Sequence, residues 1–311
     1  MPLTLIEAAK LSANNGETKR AAVITMFARE SSILAALPMQ DIQGNAYGYN
    51  REGSLPGVAF RGINEAYLES AGVINPLVEA LKIGGGDLDV DVAITKTQGE
   101  QVRGVHEQMK VKALAAEITR VIIKGDSTSN PREFDGLQTR ITGTQLIPAG
   151  ATAGGDALSL SVLDQAIDQT TNPTHIIATK AIRRLINTAS RTTAVGGFIV
   201  MNKDDFGRPL YQYNGLPILV PYEDNGGTEP MGYNEANPGG GAAVGTSIYV
   251  VGFGPGLVAG IQNGIMEVRD LGELQTQPVK RTRVEWLIGM AVEHGRAATR
   301  IWGVKNAAVV A

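Results

Sequence analysis

The sequence predicts an α+β fold, and three observations carry that assignment. Helical periodicity fills the first 40 residues and returns over a much longer run from Gln98 to Lys124. Segments of period two lie between and after these runs, at 44–69, 87–94 and 279–304. The length, 311 residues, corresponds to roughly two domains at about 150 residues each, enough for a real hydrophobic core. Glycine is abundant, 38 of 311, but glycine and proline together are 52 of 311, about 17%. That is short of the ~25–30% of a disordered chain, so the glycines mark turns and close backbone passages.

In the first run Leu5, Ile6, Ala9 and Leu11 precede a break at Asn14-Asn15-Gly16. Ala22, Val23, Met26, Phe27, Ile33, Leu34 and Leu37 follow at helical spacing until Pro38 stops them. This amphipathic arm (1–43) needs a cover, either its own domain or a neighbouring subunit. From Gly44 the period is two. Tyr47, Tyr49 and Arg51 alternate with small or polar residues, and Gly53-Ser-Leu-Pro56-Gly57 reads as a turn. There Pro fixes φ and Gly accepts positive φ. Val58, Phe60 and Tyr67 fall on the return side, giving a long hairpin (44–72) with no third strand beside it. A lone two-stranded hairpin is marginal in water, so it requires a partner surface.

An extended stretch from Leu77 to Ile83 meets Gly84-Gly85-Gly86, expected as a hinge. A strand follows, with Leu88, Val90, Val92 and Ile94 on one face and Asp87, Asp89 and Asp91 on the other. The three carboxylates read as a solvated face rather than a cation site. Thr97-Gln-Gly-Glu100 matches a capping box. The helix it opens runs to Lys124 with Val102, Val105, Met109, Leu114, Ile118, Val121 and Ile122 on one stripe, and Gly125 stops it. Its 27 positions span about 40 Å. The stripe is expected to pack on a terminal strand where Val284, Trp286 and Ile288 oppose Arg281, Arg283 and Glu285.

Residues 125–147 are rich in turns, and Pro148 to Asp156, with three glycines, is expected as a domain boundary. Beyond it the pattern predicts helices at 161–169 and 180–190 around a strand at 175–178. Strands are predicted at 216–222, 247–253 and 264–268, with a glycine-rich loop at 223–245. Two last strands, 279–292 and 297–304, flank the turn Glu293-His-Gly-Arg296.

Composition removes most chemistry. With no Cys there is no disulfide, thiol nucleophile or thiolate metal site, and three His (His106, His175, His294) disfavour an imidazole-rich one. The net charge is 28 − 31 = −3 with no basic run, which disfavours a sequence-reading nucleic-acid protein. The longest apolar stretch, Ile248 to Ile261, is 14 residues broken by four glycines and Pro255, short of the ~18–20 that span a bilayer. The first residues lack a signal-peptide pattern, so a soluble protein made in a cytoplasm is expected. Gly254-Pro-Gly256-Leu-Val-Ala259 fits a dinucleotide fingerprint, but the residues after it do not read as the helix such a loop must open. His106-Glu107-Gln-Met-Lys110 lacks the second His of a zinc motif. Asp126-Ser-Thr128-Ser-Asn130 starts like a calcium loop but has Pro131 where glycine is needed, and reads as a turn. No nucleophile elbow or P-loop is present. No catalytic, cofactor or metal residues are assigned.

Several stretches instead resemble the major capsid proteins of tailed bacteriophages. Tyr49-Asn-Arg-Glu-Gly-Ser-Leu-Pro-Gly-Val-Ala-Phe-Arg61 is similar to the extended-loop hairpin of one branch of that family. Gly125-Asp126 with Asn130-Pro-Arg-Glu-Phe-Asp-Gly-Leu137 is similar to the segment after the family's long spine helix. Gly207-Arg-Pro-Leu210 leading to Asn214-Gly-Leu-Pro-Ile-Leu-Val220 is similar to a strand of its axial domain.

The resemblance implies an N-terminal arm, an extended loop, a peripheral domain at 73–160 with the spine helix, an axial domain at 161–267 and peripheral return strands at 268–311. It implies a coat protein that assembles into pentamers and hexamers of an icosahedral procapsid in the host bacterial cytoplasm. Its partners would be a separate scaffolding protein, a portal and a cement protein where one exists. The shell would enclose double-stranded DNA without reading it, and involve no membrane. Because the sequence starts with the arm, no fused scaffolding domain is expected. Intersubunit contacts are expected from Tyr47, Tyr49, Arg51, Glu52, Phe60 and Arg61, with ion pairs from Arg51, Glu52 and Arg61 near the hairpin tip. The hairpin has no Lys between Gln43 and Ile63, so the Lys–Asn crosslink of some members has no nucleophile there. Lys82 and Lys96 lie outside it, on strands expected to be internal. An encapsulin-like shell and an α/β enzyme with an unrecognised carboxylate site are the alternatives.

Overall fold

The computed structural model describes residues 3–15, 18–99, 101–189, 191, 199–203, 209–221, 229–264 and 266–310. The arm forms α1 (Leu5–Asn14), α2 (Thr18–Glu30) and α3 (Ser32–Ala36), then β1 (Met39–Asp41). Thr4 and Glu7 make a capping box on α1, and the Ser31 hydroxyl accepts from the Leu34 amide at the start of α3. Ile24, Phe27, Ala28, Ile33, Leu34 and Leu37 are fully buried. Of the two expected covers, then, the arm's apolar face has its own domain. Phe27 meets Trp286 edge to face, with ring centroids 6.2 Å apart.

β2 (Ala46–Ser54) and β3 (Val73–Ala80) form a two-stranded sheet of their own. Here the predicted hairpin is corrected. Tyr49 pairs with Leu77, so the return arm starts at Val73, and Val58, Phe60 and Tyr67 lie in the tip between the strands. Val73, Ile74 and Val78 are β-branched and suit a strand, and in a two-stranded sheet, where both strands are edges, Pro76 opposite Asn50 is tolerated.

β4 (Lys82–Asp91) runs straight through the expected hinge. Gly85 lies opposite Glu285, and a Cβ on it would stand 2.3 Å from the Val284 carbonyl oxygen, so this glycine permits close approach. The strand stops at Asp91, whose carboxylate accepts from the Ala93 amide and caps α4 (Val92–Gln98). Val92, Ile94 and Lys96 are therefore helical. Gly99, at φ +90, closes α4, and α5 (Gln101–Lys124) begins after it. The long predicted helix is thus present as α5 with its start moved from Gln98 to Gln101, and α4 is a separate helix before it. Thr97 is no N-cap, since its hydroxyl donates back to Ala93, and Glu100 lies outside the described residues.

The stripe on α5 is also corrected. Its buried positions are Val111, Leu114, Ala115, Ile118, Thr119, Val121, Ile122 and Ile123. Met109 precedes Val111 by two residues, about 200° around the axis, and belongs with Val102 and Val105 on another face. Val105 and Met109 are 55% and 53% exposed and Val102 is half-buried. Leu114 and Val121 do share a core with Val284, Trp286 and Ile288.

The remaining elements are α6 (Leu137–Arg140), β5 (Leu146–Pro148), α7 (Leu160–Gln169), β6 (His175–Ile177) and α8 (Lys180–Ala189). After them come β7 (Ile199–Lys203), β8 (Pro209–Tyr213), β9 (Leu216–Leu219), β10 (Thr246–Val251) and β11 (Val258–Gln262). The chain ends with β12 (Glu267–Glu273), β13 (Val279–Val292) and β14 (Ala298–Val304). One sheet is centred on β13, with β4 along one edge, β12 and β11 along the other, and β1 parallel to β11. The second sheet has the order β5-β14-β10-β6-β9-β8-β7.

Thus β13 and β14 do not return together to one sheet. β10 is buried at every position and needs a partner on each side, and β14 supplies one of them. β11, expected in the axial domain, joins the first sheet. The expected boundary at 148–156 is instead stitched to β14, through β5 and through the Asp156 amide donating to the Gly303 carbonyl at 3.0 Å. Gly254-Pro-Gly256 leads into the strand β11, not a helix. Asp126 accepts from the Thr128 amide and the Ser129 hydroxyl in a local turn. Gly207, Arg208, Tyr222, 223–228, Ser190 and Ile265, used in the sequence reading, lie outside the described residues.

Candidate assembly surfaces

The hairpin is rooted at its base and bare at its tip. Tyr47 and Tyr49 stack with centroids 5.8 Å apart. The Tyr47 hydroxyl donates to Glu293 at 2.8 Å, and that of Tyr49 donates to Glu79 at 3.3 Å. Burial raises the pKa of both phenols, with the Glu293 carboxylate adding to it at Tyr47 and the Glu79 carboxylate at Tyr49. Arg140 grips Glu79 through both oxygens, and the Arg51 guanidinium donates to the Val292 carbonyl. Tyr47, Tyr49 and Arg51 therefore bind the chain's own body. This corrects the expectation of a tip ion pair from Arg51, which lies mid-strand opposite Asn75. Glu52 is exposed on the same strand.

Arg61 is at the tip, but engaged locally. It donates to the Glu65 carbonyl and lies 5.3 Å from the Tyr67 ring centroid. Around it Leu55, Val58, Phe60, Ile63 and Leu68 are 78–106% exposed. A row of large apolar residues that meets nothing in its own chain marks an interaction surface.

On β13, Trp286 points into the core with its indole N–H donating to Gln262 at 3.0 Å, while the polar row faces out. Arg281 pairs with Asp89 at 2.6 Å and Arg283 with Asp87 at 2.6 Å, directly across the β4–β13 ladder. The facing guanidinium holds each Asp below the usual carboxylate range. Glu285 is paired with Arg269. This row is electrostatically self-satisfied.

A buried cluster was missed by sequence reading. Glu235 meets Lys124 at the end of α5 at 3.1 Å and Arg300 on β14 at 2.8 Å, and Ser247 on β10 bonds both Glu235 and Arg300. Glu235 and Arg300 are 7% and 8% exposed. Glu235 is one of two acids in the glycine-rich loop stretch 229–245, with Glu229, and nothing local names its partners. Among the described residues no group of three or more His, Cys, Asp or Glu converges as a metal site, and no helix is long and apolar enough to cross a membrane.

A rooted hairpin with an uncovered apolar tip is an assembly element, and the comparisons agree. The family model for Major capsid protein GP7 matches residues 14–181. The chain belongs to that family. It is a phage coat protein with the tailed-phage major capsid fold, and it self-assembles into an oligomeric, icosahedral shell, the body of the virion. Solved structures share the fold at low identity. The SrpI encapsulin of Synechococcus elongatus PCC 7942 is similar at 16% identity and TM-score 0.62, covering 90% of this chain and 89% of its own. The capsid of a native GTA particle is similar at 12% identity and TM-score 0.63, covering 89% and 90%. A Mycobacterium phage Adephagia structure is similar at 10% identity and TM-score 0.61, covering 88% and 90%. No curated protein matches the chain.

Proposed function

We propose that this coat protein builds pentamers and hexamers of a tailed-phage head, with each hairpin tip lying over a neighbouring copy, and performs no catalysis. The observation that carries the reading is the tip, whose Leu55, Val58, Phe60, Ile63 and Leu68 are uncovered while the strands behind it are pinned to the body. Burying an aliphatic or aromatic side chain contributes about 1.5–3 kcal/mol, and a closed shell repeats the contact in every copy. A separate scaffolding protein shapes the procapsid, a portal admits double-stranded DNA, and a cement protein is a further partner where one exists. The near-neutral charge suits a wall that must not hold sliding DNA. Electron microscopy of Phe60→Ala and of the parent protein tests this. The parent should form closed shells, and the variant should keep the parent's urea midpoint but lose most shell yield. Normal shells from the variant would refute the tip's role. Purified shells holding protein cargo in place of DNA would favour the encapsulin-like reading.

A further inference from the structure

We propose that α7 and α8 carry the two halves of a head-to-tail contact between copies, the basic face of α8 meeting the acidic face of α7 on the next copy. The proposal rests on the coat-protein reading and adds the partner surface.

On α8, Ile182 and Ile186 turn inward. Lys180, Arg183, Arg184 and Asn187, at positions i, i+3, i+4 and i+7, line with Tyr211 an open cavity of about 260 Å³. Arg183 lies 5.7 Å from the Tyr211 ring centroid. The nearby acid, Glu229, accepts from the Lys180 amide at the start of α8. Among the described residues no carboxylate is ion-paired with Arg183 or Arg184. By contrast Arg103, Arg120, Arg140, Arg269, Arg281, Arg283 and Arg300 each have a carboxylate partner, and Arg51, Arg61 and Arg296 donate to backbone carbonyls.

α7 is the complement. It contains no Lys or Arg; Leu163 and Ala166 are buried, and Asp164 and Asp168 are exposed one turn apart. Asp164 accepts from the Tyr213 hydroxyl at 2.9 Å, and Arg296 bonds only the backbone carbonyls of Asp168 and Gln169. Neither carboxylate has an ion-pair partner among the described residues. The two helices pack on the same core beside the second sheet, yet their charges do not neutralise each other within the chain. One chain thus presents a basic and an acidic helix face, the requirement for a heterologous contact that closes a ring. Opposite charges at such a contact set partner and register. A phosphate surface is disfavoured, because the two carboxylates of α7 share the layer with α8 and oppose a polyanion.

The test is a charge swap in the full chain. Arg184→Glu and Asp168→Lys, made singly, should each leave the subunit's urea midpoint unchanged and lower shell yield about tenfold, since like charges then meet at every contact. The combined variant should restore yield to within about twofold of the parent. Singles that assemble like the parent, or a combination that does not restore them, would overturn the proposal while the parent's own shells leave the coat-protein reading standing. Arg184→Glu shells that form normally but retain less DNA would also overturn it, in favour of a phosphate surface. Should either reversal lower the urea midpoint, Arg184→Gln replaces it. Its assembly should depend less steeply on salt than the parent's, and an unchanged dependence would refute the contact.

Discussion

Replacing Phe27 by alanine tests whether the N-terminal arm belongs to its own subunit's core. The ring is fully buried and meets Trp286 edge to face at 6.2 Å. Truncating a buried Phe costs about 3–5 kcal/mol, of which the aromatic pair accounts for about 0.5–1.5 kcal/mol. Domains are stable by only about 5–15 kcal/mol, so the loss is a large share of the total. At a urea slope of about 3 kcal/mol/M, the unfolding midpoint should fall by about 1–1.7 M. The assay is a urea titration of dissociated subunits followed by fluorescence of the two tryptophans, one of which is Trp286 itself. An unchanged midpoint with assembly abolished would refute the reasoning, because it would mean that a neighbouring copy covers the arm and the free subunit does not.

Two further perturbations probe the second sheet. Burial beside Phe253 lowers the His175 pKa to about 4, so between the unfolded value near 6.5 and that pH the unfolded chain binds more protons than the folded one. Stability should therefore fall by about 3 kcal/mol as pH drops through this window; His175→Gln should flatten the pH dependence of the midpoint, and an unaltered slope would contradict the assignment. Glu235→Leu leaves Lys124 and Arg300 without their buried anion and should cost about 3–5 kcal/mol in the same titration. Arg281→Ala, in the exposed ladder, should change little, and comparable losses from the two would refute the distinction between buried cluster and surface row.

Local chemistry settled the pieces of this protein. The alternation that turns Trp286 inward and Arg281, Arg283 and Glu285 outward is a property of any strand and needs no partner to be read. The amphipathic arm, the hairpin's lack of a third strand, and the absence of thiol and phosphate-loop chemistry were equally legible in the sequence. Resemblance of short turn patterns, more than periodicity, pointed to the capsid family. What remained open were choices between local equals. α5 carries two apolar faces, one with Val105 and Met109 and one with Val111, Leu114 and Ile118, and only the sheet beneath it selects the covered one. β2 takes β3 across an irregular tip, a pairing that depends on loop closure and on the strands' composition rather than on the nearest turn signal. Gly85 reads as a hinge until the Val284 carbonyl is seen against it. Glu235 finds its cations 111 residues before it and 65 after it in the chain, at Lys124 and Arg300. Periodicity records which way a side chain points relative to its neighbours in sequence. What it points at is decided by contacts between distant segments, and those exist only once the two sheets have closed on their cores.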